Sequence, residues 1–431
     1  MSTKLERIAD KSAHTKRPEF TSLYHHINEE MLRACHKQLD GNKAVGIDGK
    51  SKTEYEEKLD ENIADLVGRL KRKAYHPQAV LRVNIPKGNG KTRPLGIAAY
   101  EDKIVQLALK KILEAIYEPK FQGNMYGFRQ GKGCHDAIRA VYDKMNFGNI
   151  NYVVDADIKG FFDHMDHEWI MKFVNLYIKD TNILRLIKRY LKSGVMEDGV
   201  LKENKEGSVQ GNIISPILAN IYMHNVLTLW YNHKIAKECK GDTFLAVYAD
   251  DFIAGFEYKE EAERYYRELK ERMAAFNLEL EESKSRMMEF SRLKDDSQKI
   301  KGEKRETFNF LGFTFYYGRT RKGKPWVKLQ TSRKKYKMKL RMTKEWLYKS
   351  RHLPMKELIM KLNMKLVGHY RYYGVSFNYR KITNYLHHVQ LFLYKIINRR
   401  SNKRSYTCEG FDEMLKCYPL AKPKIYVSLF K

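Results

Sequence analysis

Residues 244–256 read Phe-Leu-Ala-Val-Tyr-Ala-Asp-Asp-Phe-Ile-Ala-Gly-Phe. Apolar residues stand on both sides of one adjacent acidic pair, Asp250 and Asp251. Strong β-formers on each flank predict two short strands, with Ala-Asp-Asp as the tight turn between them. Two carboxylates at the tip of a buried hairpin are costly unless something positive sits beside them. A divalent metal answers that need, since Mg²⁺ takes oxygen ligands and keeps positions for phosphate and water. An isolated Asp-Asp pair is more often a plain polar turn, so the pair needs a partner.

Residues 152–163, Tyr-Val-Val-Asp-Ala-Asp-Ile-Lys-Gly-Phe-Phe-Asp, supply one. A β-branched run ends in alternating acids, and the alternation puts Asp155 and Asp157 on one face of a strand. Asp163 and Asp166 lie beyond it and read as helix N-caps. Asp157 and Asp250 are 93 residues apart, each on or beside a strand with a strong β signal. Two acidic strands meeting at one place is the layout needed to hold two metals for nucleotidyl transfer.

Such chemistry needs cations for the phosphates. Residues 81–97 alternate into a Gly-Asn-Gly turn and out again, as in a hairpin, with Lys87, Lys91 and Arg93 around the tip. Lys as a point charge and Arg as a fork suit a triphosphate. By itself the segment is more often an ordinary solvated basic turn. In residues 125–138, from Met125 to Ile138, aromatics, glycines and cations interleave in a loop that feeds a helix. That composition suits close approach to a nucleic-acid backbone.

The elements that would position these residues follow from periodicity and punctuation. Helices are expected at 19–38, 52–73, 102–118, 167–177, 182–193, 213–231 and 259–276, with Ser215 as N-cap and Pro216 in the first turn. Strands are expected near 287–290 and 308–317. After Ser332 the composition changes to Lys, Arg and Met at helical spacing, continuing helical from 356 to 400.

The totals bound the partners. The chain has 431 residues, 43% of them apolar, with 81 Lys and Arg against 52 Asp and Glu, a formal charge of +29. A globular protein with that excess is expected to meet a polyanion, most simply nucleic acid. The 29 tyrosines offer stacking surfaces. No apolar run is long enough to span a membrane. The five cysteines, Cys35, Cys134, Cys239, Cys408 and Cys417, are scattered without a C-x-x-C pair, which argues against zinc modules and disulfides. A reduced, cytoplasmic setting is expected.

These segments stand in the order of a group II intron reverse transcriptase and maturase, and the chain resembles that family over roughly residues 40–400. Gly46-Ile47-Asp48-Gly49 is similar to the block before the fingers. Ile85-Pro86-Lys87 with Arg93-Pro94-Leu95-Gly96-Ile97, and Tyr126-Gly127-Phe128-Arg129, resemble the two fingers blocks. Asp157-Ile158 with Phe161-Phe162-Asp163 resembles the first catalytic block, and Ser208 to Ala219 the Gln-Gly block. Tyr248-Ala249-Asp250-Asp251 resembles the catalytic hairpin, and Phe310-Leu311-Gly312-Phe313 the primer grip. Leu362-Asn363, Gly368 and Tyr372-Tyr373-Gly374 resemble the thumb and maturase region.

The resemblance implies an α+β right-hand polymerase: fingers, a palm with an antiparallel sheet, and a helical thumb. Residues 1–80 would be an N-terminal extension and the start of the fingers, 81–331 fingers and palm, 332–400 thumb and maturase region, and 401–431 a short tail. It implies RNA-templated addition of dNTPs to a DNA or RNA primer with two Mg²⁺ ions, Mn²⁺ being able to substitute. Asp157, Asp250 and Asp251 would be the metal carboxylates, with the Ile158 carbonyl as a further ligand and Lys284 as proton donor to pyrophosphate. Lys87, Arg93, Phe162 and Gln210 would meet the dNTP; Arg129, Phe310, Leu311 and Gly312 would meet template and primer. A structured intron RNA, or another non-coding RNA, is the implied partner.

The chain departs from the family pattern at Val209, Asn212, Gln130 and His369. It shows no Cys- and His-rich nuclease segment, so DNA cleavage is not expected of it. Two other readings use the same residues: a splicing cofactor whose polymerase is idle, and a polymerase recruited to phage defence with its own RNA.

Overall fold

The computed structural model describes residues 2–86, 92–204, 206–291, 306–400 and 405–430. The chain forms two compact units. The first comprises residues 1–137 with 153–287, the second residues 138–152 with 288–431.

In the first unit, helices α1 (Ser2–His14), α2 (Glu29–Gln38), α3 (Lys52–Glu56) and α4 (Leu59–Lys71) precede the sheets. The helix expected over 19–38 begins only at Glu29, where the Asn28 side chain accepts from the Met31 N–H. The preceding stretch is held instead by Asp180, whose carboxylate accepts from the N–H groups of Leu23 and Tyr24 at 2.6 and 2.8 Å. Burial pushes the Asp180 carboxyl up, but the N–H groups of Leu23, Tyr24, Asn182 and Ile183 hold it below the usual carboxylate range. The expected 52–73 helix is two helices, the first opened by a Ser51–Glu54 capping box, with Lys58 breaking the run between them.

Strands β1 (Val80–Pro86) and β2 (Thr92–Ile97) form the expected antiparallel hairpin, Leu81 opposite Ile97 and Pro86 opposite Thr92. Helix α5 (Tyr100–Tyr117) follows. It is the central core element: Ile104, Val105, Ala108, Leu109, Ile112, Leu113 and Ile116 are all fully buried. At about 1.5–3 kcal/mol for each large apolar side chain removed from water, this helix holds together the helices packed on it, α1 and α2. Helix α6 (Cys134–Phe147) leads to β3 (Tyr152–Asp157). Then come α7 (Phe161–His164), α8 (His167–Val174) and α9 (Thr181–Lys192). Asp166 caps α8 as expected, accepting from Trp169 N–H at 2.9 Å. Asp163 does not cap; it lies inside α7, which Gly160 opens at φ +53°.

Strands β4 (Val195–Glu197) and β5 (Val200–Lys202) extend the first hairpin into a sheet of order β2-β1-β4-β5. Helix α10 (Ser215–Met223) continues through two π-helical turns to α11 (Ala236–Glu238). Ser215 is not its N-cap; its hydroxyl bonds to Ser208 and to the Val209 carbonyl, at 2.7 and 2.8 Å. The second sheet contains β6 (Thr243–Tyr248), β7 (Asp251–Phe256), β3 and β8 (Arg286–Glu289), in the order β6-β7-β3-β8, with α12 (Lys259–Ala274) between β7 and β8 in sequence. The chain leaves the first unit within β8.

The second unit holds a sheet of order β11-β10-β9, made of β9 (Phe308–Phe310), β10 (Phe313–Arg319) and β11 (Pro325–Thr331). Phe308 and Phe315 stack at 4.8 Å in its core. Helices α13 (Arg333–Lys349), α14 (Met355–Tyr373), α15 (Tyr379–Ile397) and α16 (Cys408–Cys417) complete it. His369 of α14 is buried, stacked on Tyr385 at 3.8 Å, and burial pulls its pKa down to about 3. Among the described residues no helix is long and apolar enough to cross a membrane. The five cysteines form no disulfide.

Candidate active site

Antiparallel pairing of β6 and β7 runs from Thr243–Phe256 to Tyr248–Asp251, leaving Ala249 and Asp250 as a two-residue loop. Such loops need a left-handed residue to match strand twist, and Ala249 takes φ +58°. The strands bury Leu245, Ala246, Val247, Phe252, Ile253 and Ala254, while Asp250 and Asp251 stay half-buried at the tip.

A neighbouring loop fixes that tip. Val247 N–H donates to the Asn124 carbonyl at 2.9 Å, and Tyr126 N–H donates to the Val247 carbonyl at 2.8 Å. A Cβ on Gly127 would stand 2.4 Å from the Ala249 nitrogen, so only glycine lets the two backbones approach this closely. Asn220 Nδ2 donates to the Gly127 carbonyl at 2.9 Å. The fingers-type block around Gly127 therefore braces the acidic turn. Arg129 faces inward: it pairs with Glu118 at 2.8 Å and donates to the carbonyls of Gln122 and Met125 at 2.7 and 3.0 Å. Its guanidinium is engaged within its own loop, and Phe128 beside it, at φ +56°, is exposed.

β3 lies next to β7, and Asp157 ends it. The segment that follows α12 hangs on this strand end. Glu281 N–H donates to the Asp157 carbonyl at 2.8 Å and Lys159 N–H to the Glu279 carbonyl at 2.9 Å, around an antiparallel bridge of Ile158 with Leu280. In that pattern the Ile158 N–H and C=O point away from Leu280. Lys284 Nζ is bonded to Asp157 Oδ2. That hydrogen bond, with the charges of Asp157, Glu281 and Asp250, holds the Lys284 ammonium above the usual lysine range. One lysine thus senses both Asp157 and the Asp250 turn, 127 residues from its bonded partner. Asp155, deeper on β3, is pushed up to about 6 by burial, against the pull of Arg286.

Arg93 and Gln210 are also brought together: Arg93 Nε donates to Gln210 Oε1 at 2.7 Å, across 117 residues. Two glycines allow it. Gly96 N–H donates to the Gln210 carbonyl at 2.6 Å, and a Cβ on Gly211, at φ +112°, would lie 2.3 Å from the Gly96 oxygen. Phe162 is buried, and its carbonyl accepts from Ser208 N–H at 2.7 Å. Lys87 and Lys91 lie outside the described residues. Phe310, Leu311 and Gly312 belong to the second unit, where Leu311 and Gly312 turn β9 into β10 at φ +48° and +82°. The Tyr372 hydroxyl donates to the Leu311 carbonyl at 2.8 Å.

The glycine contacts at 96, 127 and 211 were not read as site determinants. Their sequence signal was present: Gly96 interrupts a strand pattern, which marks a close backbone approach. Among the described residues no three His, Cys, Asp or Glu side chains converge as a metal cluster. The donors at this place are hard carboxylate oxygens, of a kind that suits a divalent metal, and one of them, Asp157 Oδ2, already holds the Lys284 ammonium. It is the chemistry of these donors, and not a converged cluster, that fits a divalent metal.

An antiparallel acidic hairpin beside an acidic strand, within an α+β fold, is compatible with a right-hand polymerase. The family described as "Reverse transcriptase (RNA-dependent DNA polymerase)" matches residues 85–315. The "Group II intron-encoded protein LtrA" of Lactococcus lactis subsp. cremoris is 38% identical over 224 residues, 52% of this chain and 37% of that one. "Protein YkfC" of Escherichia coli (strain K12) is 36% identical over 187 residues, 43% and 49% of the two chains. "Nuclear intron maturase 1, mitochondrial" of Arabidopsis thaliana is 31% identical over 93 residues, 22% and 13%. The chain belongs to the reverse transcriptase family, and over part of its length it is similar to group II intron-encoded proteins and intron maturases. The match to LtrA and to YkfC spans less than half of either relative.

Proposed function

We propose that this chain is an RNA-directed DNA polymerase that extends a DNA or RNA primer with dNTPs, and that it binds a structured intron RNA as a splicing maturase. The observation that carries the polymerase reading is the convergence of Asp157 and the Asp250 turn on Lys284. Asp157, Asp250 and Asp251, with the Ile158 carbonyl, would hold two Mg²⁺ ions. When bound, these lower the pKa of the primer 3′-hydroxyl and steady the triphosphate.

The remaining roles fall to side chains. Arg93, oriented by Gln210, presents its guanidinium to the triphosphate, and Lys87 adds a point charge. Phe162 presses on the sugar and excludes a 2′-hydroxyl. Lys284 gives its proton to the leaving pyrophosphate. Arg129 keeps its loop in place so that Phe128 can stack on the template. Phe310, Leu311 and Gly312 hold the primer. We assign residues 81–331 to fingers and palm, and 332–400 to thumb and maturase region. The basic face of α13 supports RNA binding through phosphates and shape.

The test is primer extension by the purified chain on an RNA template with dNTPs and Mg²⁺. Template-length DNA is expected. Tight RNA binding with no extension in Mg²⁺ or Mn²⁺ would instead make the chain an RNA-binding cofactor with an idle palm.

A further inference from the structure

The turn that delivers Lys284 is built on its own target. Glu281 N–H bonds to the Asp157 carbonyl at 2.8 Å, and Asp157 N–H donates to the Ser285 hydroxyl at 3.2 Å. Lys284 and Ser285 N–H groups both close back on the Glu281 carbonyl at 2.9 Å. The backbone between residues 281 and 285 is therefore tied to the end of β3 from two sides. The side chain it carries is not tied: Lys284 is 61% exposed, against 34% for Asp157. Among the described residues, its hydrogen bond in the site runs from Nζ to Asp157 Oδ2. That oxygen is one a divalent cation would have to take.

We propose that Lys284 is an exchangeable internal counter-cation: its ammonium and a divalent metal compete for Asp157 Oδ2, so that Lys284 is released only as the site loads. This rests on the metal-site reading above. A lysine ammonium is a compact charge on a four-carbon stem, able to leave one partner and reach another without moving backbone. An ion pair this exposed is weak, so it yields to a doubly charged ion. Yet it spares Asp157 and Asp250 from facing each other uncompensated, since like charges at one site disfavour the ionised forms. The cost is a somewhat lower metal affinity. The gain is timing: the cation that leaves Asp157 stays tethered by the 281–285 turn beside the position where the triphosphate develops charge.

Mn²⁺ binding to the full chain without nucleic acid, followed by loss of the free-ion electron paramagnetic resonance signal, tests this with no activity readout. Lys284→Met should tighten Mn²⁺ binding by about three- to tenfold, the value of one unit charge at contact in a largely hydrated site. Lys284→Arg, whose fork covers both carboxylate oxygens, should bind Mn²⁺ more weakly than wild type. Asp157→Asn should lose the high-affinity Mn²⁺. If Asp157→Asn loses binding while Lys284→Met matches wild type or binds more weakly, the competition is overturned and the metal site stands. If Asp157→Asn binds as wild type does, the metal site itself is wrong, and the competition falls with it.

Discussion

At the acidic turn, Asp157, Asp250, Asp251 and Lys284 sit on backbone with little freedom. Ala249 is left-handed, Gly127 touches its nitrogen, and the Asp157 strand end is bonded to the turn carrying Lys284. In α13, by contrast, eight Lys or Arg and a single Glu stand along 17 residues of which only Thr343 and Leu347 are buried. The first region uses a few charges whose directions are fixed by neighbours far off in sequence. The second uses many charges whose directions hardly matter. A metal and a triphosphate need oriented ligands, while a polyanionic backbone is met by charge density. Damage should therefore be local and steep in the first region, shallow and additive in the second.

The steepest expected effect away from the carboxylates is Gly127→Ala. Its methyl would meet the Ala249 nitrogen at 2.4 Å and push the acidic turn. A misplacement of about 1 Å can cost on the order of 10²-fold in rate, so kcat for primer extension should fall by about that factor with RNA affinity unchanged. A wild-type kcat would show that the turn is not braced there. Next is Arg93→Ala, which should raise the KM for dNTP about tenfold, as expected for losing a charged hydrogen bond. Gln210→Ala should reproduce part of that rise, and the double variant should be less than additive because the two side chains share one bond.

In α13 the expected changes are small. Lys334→Gln or Lys337→Gln should each lower the slope of log RNA affinity against log salt by about 1, whichever position is chosen. Arg341→Gln should cost less, because Arg341 is paired with Glu345 at 3.6 Å. A single α13 lysine that abolished RNA binding would erase the contrast between the regions. The smallest effect should be Ala249→Gly. It relieves a left-handed alanine but adds chain entropy to the unfolded state, for a net gain of about 0.5 kcal/mol in urea denaturation.

The acidic turn, the Asp157 strand and the basic hairpin were legible because each is a local pattern: alternation, a β-rich flank, a turn dipeptide. Their meeting was legible only through the ordered resemblance. The Lys284–Asp157 bond joins residues 127 apart, and Arg93–Gln210 residues 117 apart; no periodicity encodes either. The partners of Arg129 were hidden for the same reason. A cation among aromatics and glycines looks available in sequence, but Glu118, Gln122 and Met125 claim it in the fold. The boundary expected at 19 failed where bonds to Asp180 overrode propensity, and the helix expected over 52–73 breaks at Lys58, whose backbone leaves the helical region.

The central claim is that Asp157 and the Asp250-Asp251 turn perform nucleotidyl transfer. The direct measurement is RNA-templated primer extension by Asp250→Ala/Asp251→Ala, with RNA affinity measured on the same preparation. Loss of all extension with RNA binding retained is the predicted result. Wild-type DNA synthesis by the double variant would contradict it.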